Sequence, residues 1–359
     1  MPPEQTKMIN ISDDNFEKQH VINGVVQTGD ELKQYNYLNL GPTHPATHGI
    51  FQNILKMDGE IIVDAQPTIG YIHRAFEKLA ENRPFFQITT ITDRLNYCSA
   101  PINNIGLHLT MEKLLGIETP KRVDYLRVIV MELARIADHI ICNSVVAVDT
   151  GALTGFLYVF QWREKIYDVY EEICGARLTT NMGRIGGFER DFSKSAFDKI
   201  DVIVKELPKA LQEFEKLVIR NRIFMDRTIN VGGISGERAL EYGFTGPNLR
   251  AAGVDYDVRV MNPYCSYQDF DFTIPVGSNG DTYDRFCVRQ EEMWQSLSII
   301  KQAVKNLPEG KHHADVPEFY LPPKDDVYNS MEGLIWHFKI VMGEINVPKG
   351  QVYHSVEGG

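Results

Sequence analysis

The sequence has few cysteines, and their spacing matches no metal site. Five occur in 359 residues, an odd number, and no two form a Cys-x-x-Cys pair. They are Cys98, Cys142, Cys174, Cys265 and Cys287. This pattern disfavours disulfides and any iron–sulfur or nickel–iron centre held by this chain. Free cysteines are most often small buried hydrophobic residues, and we predict that role for all five.

Long hydrophobic runs and clusters of basic residues are also absent. The most apolar run, residues 140–148, is interrupted by Asn143 and Ser144 and is far shorter than the ~20 residues of a membrane-spanning helix. No apolar segment follows the polar N-terminus as in a secretory signal, so we predict a cytoplasmic protein that is soluble or peripheral to a membrane. The net charge of -11 argues against a nucleic-acid partner.

The N-terminal part predicts a small sheet around a stiff loop. The segments 35–40 and 50–57 have strand character, Asp58-Gly59 is typical of a hairpin, and residues 60–65 alternate as the returning strand. Between the first two strands lies the loop 41–49, which contains two histidines, two prolines and two glycines. We therefore expect the loop at one end of a small antiparallel sheet.

From Ile69 onward, apolar residues recur with helical spacing. The predicted helices run from Ile69 to Pro84, Asp93 to Leu115, Pro120 to Asp149, Leu153 to Cys174, Ser193 to Phe224 with a break at Pro208, Arg285 to Asn306, and Val327 to Met342. Four consecutive helices with short connections imply an antiparallel bundle. Residues 226–284 are predicted to be irregular, with a short strand at Val258 to Val260.

These patterns predict a mainly α fold with a small N-terminal antiparallel β region. At 43% hydrophobic and 24% charged residues, the composition is globular and sufficient for a large core. We divide the chain into a polar leader (1–34), the β region with the histidine loop (35–67) and a helical-bundle domain (68–359).

His44 and His48 are the first candidate site residues. Pro45 pushes His44 out of the helical region, so this spacing cannot be the helical histidine pair of a zinc protease. Two interpretations remain open. The histidines could cap turns, which composition alone favours, or the rigid frame of prolines and glycines could hold the imidazoles for a site.

Tyr97 and Asp149 are the next candidates, because a bundle can bring both to the same end. A carboxylate at a helix C-terminus is disfavoured by the helix dipole, so Asp149 needs a cationic or donor partner, and a histidine would serve. Arg74 is predicted on the first helix in a solvated ion pair with Glu77. Arg250, Arg259 and Arg285 lie among acidic residues and are predicted to be structural. The residues alone support a bundle with a His/Tyr/Asp site.

Longer motifs add a resemblance that runs from about Tyr35 to the end. They are Leu40-Gly-Pro-Thr-His-Pro-Ala-Thr-His-Gly49, Gly70-Tyr-Ile-His-Arg74, Asp93-Arg-Leu-Asn-Tyr97, Asp149-Thr-Gly-Ala152, Gly246-Pro-Asn-Leu-Arg250, Tyr267-Gln-Asp-Phe270 and Pro275-Val-Gly-Ser-Asn-Gly-Asp-Thr-Tyr-Asp-Arg285. The sequence resembles the quinone-site subunit family of respiratory complex I, which is itself similar to the large subunits of nickel–iron hydrogenases.

The resemblance implies a function and roles for particular residues. The quinone, menaquinone or ubiquinone, would bind between this chain and a neighbouring subunit that holds the terminal [4Fe–4S] cluster. His48 and Tyr97 would bind its headgroup, Asp149 would pair with His48, and His44 would line the cavity. Arg74 would lie near the cluster. FMN and NADH would bind to other peripheral-arm subunits, and membrane-arm subunits would meet the quinone channel at the cytoplasmic face of the bacterial inner membrane.

The sequence departs from the family pattern in several places. The cysteine pairs of the hydrogenases are absent, which argues against a hydrogen-activating metal site. Asn96 stands where relatives often have Asp, and Ile185 where many have Pro. Thr179 stands where many ubiquinone-using relatives have a histidine near the cluster, which suggests a lower cluster potential and menaquinone. The chain stops at Gly359, where relatives continue for several tens of residues, as a truncated sequence would.

Two other hypotheses compete with quinone reduction by NADH. A related ferredoxin-fed or hydrogenase-type membrane complex would use the same fold with a different electron donor, although the missing cysteine pairs oppose the hydrogenase form. Alternatively, the chain could be an assembly scaffold without contact to the redox reaction. Quinone reduction measured after substitution of His48 and Tyr97 distinguishes the scaffold hypothesis from the enzyme hypothesis.

Overall fold

The computed structural model describes residues 21–22, 25–26, 35–343 and 347–358, and it divides into two compact units that meet in sequence between Phe76 and Glu77. Most of the predicted polar leader, 1–34, lies outside the described residues. The described structure is mainly α with a small N-terminal antiparallel sheet, as predicted. The predicted domain boundaries remain predictions. No described helix is both long enough and apolar enough to cross a bilayer.

The first unit contains an antiparallel sheet whose strands pair in chain order. They are β1 (Val21–Ile22), β2 (Val25–Val26), β3 (Tyr35–Leu40), β4 (Gln52–Asp58) and β5 (Ile61–Thr68). The histidine loop connects β3 to β4, as predicted. The hairpin turn lies one residue later than predicted, because Asp58 pairs with Ile61 and leaves Gly59 and Glu60 as the two turn residues.

The second unit is built from helices. The helices are α1 (Phe76–Glu81), which begins at the last residue of the first unit, α2 (Phe85–Thr92), α3 (Ala100–Leu115), α4 (Lys121–Asp149), α5 (Leu153–Cys174), α6 (Lys194–Phe214), α7 (Arg222–Thr228), α8 (Gly236–Glu241), α9 (Gly246–Ala251), α10 (Val258–Met261), α11 (Thr282–Lys305), α12 (Lys324–Asn329) and α13 (Met331–Met342). A hairpin of β6 (Gly183–Arg184) and β7 (Gly187–Phe188) follows α5. The glycine-rich segment therefore forms a tight hairpin.

Helix α4 lies at the centre of the second unit. It packs against α5 and α11, and α5 packs in turn against α6. Of its 29 residues, 19 are buried, so the helix is enclosed on nearly every side. Its bounds agree with the prediction, since Pro120 precedes its first turn and Asp149 is its last residue. Polar residues on such a helix have to be paired, because an unpaired buried charge is costly.

Two predictions about the start of the helical region were wrong. No helix begins at Ile69, because β5 continues to Thr68 and residues Gly70 and Ala75 have left-handed backbone angles, φ +104° and +49°, which interrupt a right-handed helix. Arg74 therefore lies in a loop. The predicted helix from Asp93 is also shorter than expected. Asp93 ends α2, and α3 starts only at Ala100, with a proline in its first turn as predicted.

Three later predictions also differ from the structure. Helix α6 continues through Pro208, and the irregular turn is a π-helical segment, Glu215–Ile219, further along. The predicted strand at Val258 is instead α10, because the Asp257 side chain accepts a hydrogen bond from the Arg259 amide at 2.8 Å and caps a helical turn. The last predicted helix is divided into α12 and α13 at Ser330.

Candidate functional site

The histidine loop is fixed by bonds among its own residues. Pro45–Thr47 form a 3₁₀ turn, and the Nδ1 atom of His44 accepts a hydrogen bond from the Ala46 amide at 3.1 Å. Thr47 is buried, and its hydroxyl lies 3.2 Å from the Pro42 carbonyl oxygen and 3.0 Å from that of His44. The capping interpretation therefore holds for His44, whose Nδ1 atom is committed to the loop.

His48 ends this turn in a conformation unusual for a residue with a side chain. Its φ is +52°, in the left-handed region, and its side chain is exposed. Residues other than glycine rarely adopt this region, and those that do are concentrated at functional sites. Its backbone amide donates to the Pro45 carbonyl at 3.4 Å. The loop thus presents the His48 imidazole from a fixed backbone.

Arg74 lies at the end of the first unit, and its side chain is exposed. The neighbouring His73 accepts a hydrogen bond from the Ala75 amide at 3.3 Å and donates its own amide to the Gly70 carbonyl at 3.0 Å. These bonds fold residues 70–75 into a turn that carries the exposed Arg74 guanidinium. The spacing of hydrophobic residues in the sequence did not indicate this turn.

Tyr97 begins a second 3₁₀ turn, Tyr97–Ser99, just before α3. The oxygen of the Asn96 side chain caps this turn by accepting a hydrogen bond from the Cys98 amide at 3.1 Å. The Asn96 side-chain nitrogen donates to Asp138 on α4 at 2.7 Å. The Tyr97 side chain is 39% exposed, and the Arg94 guanidinium lies 5.2 Å from the centre of its ring. The phenol is therefore accessible on an anchored turn.

Asp149 is the last residue of α4, as predicted, and its side chain is exposed. Arg227 on α7 donates a hydrogen bond to the carbonyl of the next residue, Thr150, at 2.6 Å. A cation at this end of a helix offsets the negative end of the helix dipole. Arg227 thus places a cationic group at the C-terminal end of α4, where it is bonded to the Thr150 carbonyl.

Helix α4 sets the spacing between the Tyr97 turn and Asp149. The turn is bonded to Asp138, and Asp149 lies eleven residues further along the same helix. At 1.5 Å per residue the two carboxylates are about 16 Å apart along the axis, roughly three helical turns. A single rigid element therefore links these two candidates.

Thr179 is exposed in the segment between α5 and β6. Its neighbour Thr180 is fully buried, and the Thr180 carbonyl accepts a hydrogen bond from Asn104 on α3 at 2.6 Å. The Asn104 side-chain oxygen in turn accepts from Thr92 at 2.7 Å. Buried polar bonds therefore fix the backbone that presents Thr179.

A cluster of buried charges on α4 and its neighbours was not predicted from the sequence. Glu132 accepts hydrogen bonds from Tyr267 and Ser296, each at 2.6 Å, and pairs with Arg259 at 3.1 Å and with Arg135 at 3.3 Å. Burial alone would raise the pKa of Glu132, but Arg135 and Arg259 hold this pKa below its ordinary value. The available signal was that Glu132, Arg135 and His139 lie on successive turns of the segment 128–140, in which most other residues are apolar.

The same cluster extends to α11 and to the C-terminal segment. Glu292 pairs with His139 at 2.7 Å and accepts a hydrogen bond from Arg250 at 2.8 Å, and Arg250 also pairs with Glu357 at 2.8 Å. All four side chains are buried. Burial opposes ionisation of Glu292, but His139 and Arg250 keep its pKa below the ordinary range. Arg250 and Arg259 are thus structural, as predicted.

A cavity of about 970 Å³ lies elsewhere in the second unit. Aromatic and aliphatic side chains of α2, α12 and α13 line it, together with Arg184 and the buried His108. Burial lowers the pKa of His108 well below its usual value. The residues that line the cavity do not include Tyr97, Asp149 or Thr179. Among the described residues, no group of three His, Cys, Asp or Glu side chains is placed to hold a metal ion.

The predicted site residues are divided between the two units. His44, His48 and Arg74 belong to the first unit, and Tyr97, Asp149 and Thr179 belong to the second. Within the second unit, α4 links Tyr97 and Asp149. The pairing of Asp149 with His48 and the joint binding of a headgroup by His48 and Tyr97 remain predictions.

Comparison with known proteins identifies the family. Residues 149–359 match the family model described as the 49 kDa subunit of respiratory-chain NADH dehydrogenase. The chain belongs to this family. It is 72% identical to the NADH-quinone oxidoreductase D subunit of Flavobacterium johnsoniae over 93% of this chain and 80% of the relative. It is 73% identical to one of the corresponding D subunits of Cytophaga hutchinsonii over 89% of this chain and 82% of the relative.

A more distant member of the family has a different chain organisation. The chain is 48% identical to the combined C/D subunit of the NADH-quinone oxidoreductase of Bdellovibrio bacteriovorus, over 94% of this chain and 60% of the relative. The resemblance inferred from the sequence motifs is confirmed.

Proposed function

We propose that this chain forms the quinone site of a proton-translocating NADH:quinone oxidoreductase, respiratory complex I, together with a neighbouring iron–sulfur subunit. Membership of the 49 kDa subunit family is the observation that carries the proposal. The names of the relatives include both substrates, NADH and quinone. The enzyme is the whole complex, a translocase, and this chain contributes side chains to its last electron-transfer step.

His48 and Tyr97 are the proposed donors to the quinone headgroup, and Asp149 is the proposed partner of His48. Two features support these roles. His48 is presented from a left-handed residue at the end of a self-bonded turn. Tyr97 is presented from a turn capped by Asn96. Both side chains are exposed, as groups that meet a substrate between subunits have to be.

The chemistry requires two donors. Reduction of a quinone to a quinol consumes two electrons and two protons, and electron arrival leaves negative charge on the two ring oxygens. Positioned N–H and O–H groups stabilise this charge and can transfer protons to it. A protonated imidazole is in general a stronger acid than a phenol, and we therefore propose His48 as the proton source. A carboxylate beside His48 would stabilise its charged form.

His44 has a supporting role in this proposal. Its Nδ1 atom accepts the Ala46 amide, so a neutral His44 carries its proton on Nε2. That Nε2–H is the polar ring group left to line the quinone cavity. A flip of the ring would break the hydrogen bond between Nδ1 and the Ala46 amide. His44 therefore contributes mainly by holding the loop in place.

Arg74 and Thr179 are proposed to face the partner's [4Fe–4S] cluster. Both are exposed, Arg74 on a locally bonded turn and Thr179 beside a residue whose carbonyl is bonded to α3. A positive group near a cluster raises its potential, and a threonine in place of a protonatable histidine lowers it. We propose menaquinone, a low-potential quinone, as the substrate. Extraction of quinone from the purified complex tests this, and recovery of ubiquinone alone would refute it.

The proposed partners are the iron–sulfur neighbour, other peripheral-arm subunits that hold FMN and NADH, and membrane-arm subunits at the quinone channel. The relative with the combined C/D name joins two subunits in one chain, which supports close association of this chain with another subunit of the complex. The proposed location is peripheral, at the cytoplasmic face of the bacterial inner membrane.

Substitution of His48 and Tyr97 in the assembled complex tests the function. His48→Ala and Tyr97→Phe should each lower NADH:quinone activity by about 10²-fold, the usual cost of removing one positioned donor to a developing oxyanion. NADH oxidation with an artificial acceptor should persist, because it bypasses the quinone. Both rates are measured in membranes whose complex content is quantified.

Tyr242→Phe is the matched control for Tyr97→Phe. Tyr242 is also exposed and also lies beside an arginine, with Arg238 at 5.7 Å from its ring centre. This variant should retain full quinone activity. Full activity of both His48→Ala and Tyr97→Phe in assembled complex would instead support the scaffold hypothesis.

A further inference from the structure

We infer that Asp138 is a positioning residue for quinone reduction, because its bond to Asn96 holds the turn from which Tyr97 reaches the quinone. This inference rests on the role proposed for Tyr97. Asp138 lies on the enclosed helix α4, 42 residues away in sequence from Asn96, and the bond between their side chains is 2.7 Å long. It is shorter than the ordinary N–H···O bond, as charge-assisted bonds are.

The polarity of this arrangement is fully determined. The Cys98 backbone amide can only donate, so the Asn96 atom that caps it at 3.1 Å has to be the oxygen. The Asn96 NH₂ group therefore faces Asp138, and an ionised carboxylate can only accept. The Asn96 side chain thus joins the Tyr97 turn to α4. Its amide group cannot flip without losing both hydrogen bonds.

A third contact completes the support. The Asn103 side chain of α3 lies 3.4 Å from the Asn96 carbonyl oxygen. The backbone of Asn96 is extended, with φ −143° and ψ +95°, so the chain changes direction at this residue before entering the Tyr97 turn. Loss of the Asp138 acceptor would free the capping side chain at the point where the direction of Tyr97 is set.

Two cysteine thiols interact with the Asp138 carboxylate. Burial, with a smaller contribution from Asp138, raises the pKa of Cys98 to about 11, and burial also raises the pKa of Cys142. Arg163 of α5 acts on Cys98, and Arg289 of α11 acts on Cys142. Because the pKa of each thiol is raised, both thiols stay protonated up to pH 8 and do not change their charge in the assay range.

Exchange of the two side-chain types provides the test. Asn96→Asp places two carboxylates at the 2.7 Å contact, and such a pair cannot hold both charges, so it has to share a proton. Asp138→Asn keeps an acceptor for the Asn96 amide. The double variant Asn96→Asp/Asp138→Asn reverses donor and acceptor and restores the bond, while the carboxylate at position 96 still accepts the Cys98 amide.

We expect Asn96→Asp to show quinone activity that declines as pH rises, because the shared proton is lost. Wild type should decline less over the same range, because its bond between Asn96 and Asp138 does not depend on a shared proton. At pH 8 the loss should be about tenfold, since small displacements of a reacting group have effects of this size or larger. The double variant should regain the wild-type rate and pH profile. Asp138→Asn should stay within about twofold of wild type, because a neutral bond replaces a charged one.

The assays are NADH:quinone rates, with KM and kcat for quinone, and NADH oxidation with an artificial acceptor, all in the assembled complex. Asp138→Ala is the second variant, and it should raise KM for quinone without changing the artificial-acceptor rate. If Asn96→Asp does not assemble, recovery of assembly and activity in the double variant still supports the inference. A double variant that does not recover overturns it.

Tyr97→Phe, measured in parallel, separates the two proposals. If Tyr97→Phe loses activity while Asn96→Asp has the wild-type pH profile, the positioning role fails and the function stands. If Tyr97→Phe is fully active, the proposed role of Tyr97 fails, whatever the exchange variants show.

Discussion

The loop that carries His48 and the turn that carries Tyr97 use the same short motif, and they are held in different ways. Each is a three-residue 3₁₀ turn whose preceding side chain caps the amide two residues on, His44 at Ala46 and Asn96 at Cys98, both at 3.1 Å. The histidine loop is fixed by Thr47, whose hydroxyl bonds within the loop. The Tyr97 turn is bonded to a helix 42 residues away.

The histidine loop is therefore supported by its own residues, whereas the Tyr97 turn is supported by a distant helix. A loop closed by its own residues depends on a few backbone positions, and a change there should act locally. A turn anchored to α4 depends on everything that holds α4 in place, including the buried charges around Glu132. The two proposed quinone donors should therefore respond to different classes of mutation.

The largest effect should come from Glu132→Gln, which removes a buried charge from the helix that anchors the Tyr97 turn. Breaking a buried ion pair on one side costs roughly 3–5 kcal/mol, because Arg135 and Arg259 are left without their counter-charge. The pKa of Glu132 is below 4.5 in the folded state, so its stabilising effect is present above pH 4.5 and is lost as pH falls through that lower pKa. The difference between wild type and variant should therefore shrink on acidification.

Urea unfolding of the purified chain at pH 7 and pH 4, followed by circular dichroism, measures this. Hydrogen exchange should also increase at residues 97–99, and the amides of residues 46–50 serve as the comparison. Asp201→Asn is the control, since Asp201 makes an exposed pair with Lys205 and should change stability by less than about 0.5 kcal/mol. If Glu132→Gln changed stability as little as the control, the Tyr97 turn would not depend on the buried charges that hold α4.

A smaller effect, confined to quinone activity, should follow from Gly41→Ala in the histidine loop. Gly41 has φ +93°, and an added Cβ would lie 2.5 Å from the Phe51 carbonyl oxygen and 2.6 Å from the Thr47 hydroxyl. Thr47 would have to move, and His48 with it. We expect at least about a tenfold loss of NADH:quinone activity, with the artificial-acceptor rate retained.

Gly59→Ala is the matched control for that loop. Gly59 also has a left-handed φ, +62°, and its added Cβ would meet no atom within 4 Å, so only a backbone cost of about 1 kcal/mol is expected. Equal activity losses in the two glycine variants would show that backbone strain alone, and not displacement of Thr47, explains the loss in Gly41→Ala.

The smallest effect should come from His44. His44→Ala removes a cap worth about 1 kcal/mol, whereas His44→Asn keeps a capping oxygen for the Ala46 amide. If His44 acts as a cap, the asparagine variant should keep quinone activity within about twofold of wild type, and the alanine variant should lose more. Initial rates at several quinone concentrations measure both. A His44→Asn variant as inactive as His48→Ala would show that the imidazole itself is needed.

Several features that depend on neighbouring residues were predicted well from the sequence. The frame of the histidine loop, the bounds of α4 and α5, and the position of Asp149 all follow from prolines, glycines and helical periodicity. The helix expected from Ile69 failed, because left-handed residues at Gly70 and Ala75 interrupt a pattern that spacing alone makes helical.

Contacts between distant residues could not be predicted in the same way. No periodicity shows that Asn96 meets Asp138, or that Glu357 reaches Arg250. Glu132, Arg135 and His139 interrupt an apolar pattern, which indicates buried partners without naming them. The support of the Tyr97 turn was therefore hidden, although Tyr97 itself was identified.

The segment of α4 between Asp138 and Asp149 has a consequence for sequence variation. One inserted or deleted residue there would turn Asp149 by about 100° around the helix axis and shift it by about 1.5 Å relative to the Tyr97 turn. An amino-acid replacement in this stretch that preserves the helix changes neither distance nor direction. If Tyr97 and Asp149 act together as proposed, the length of this segment is constrained whatever residues occupy it.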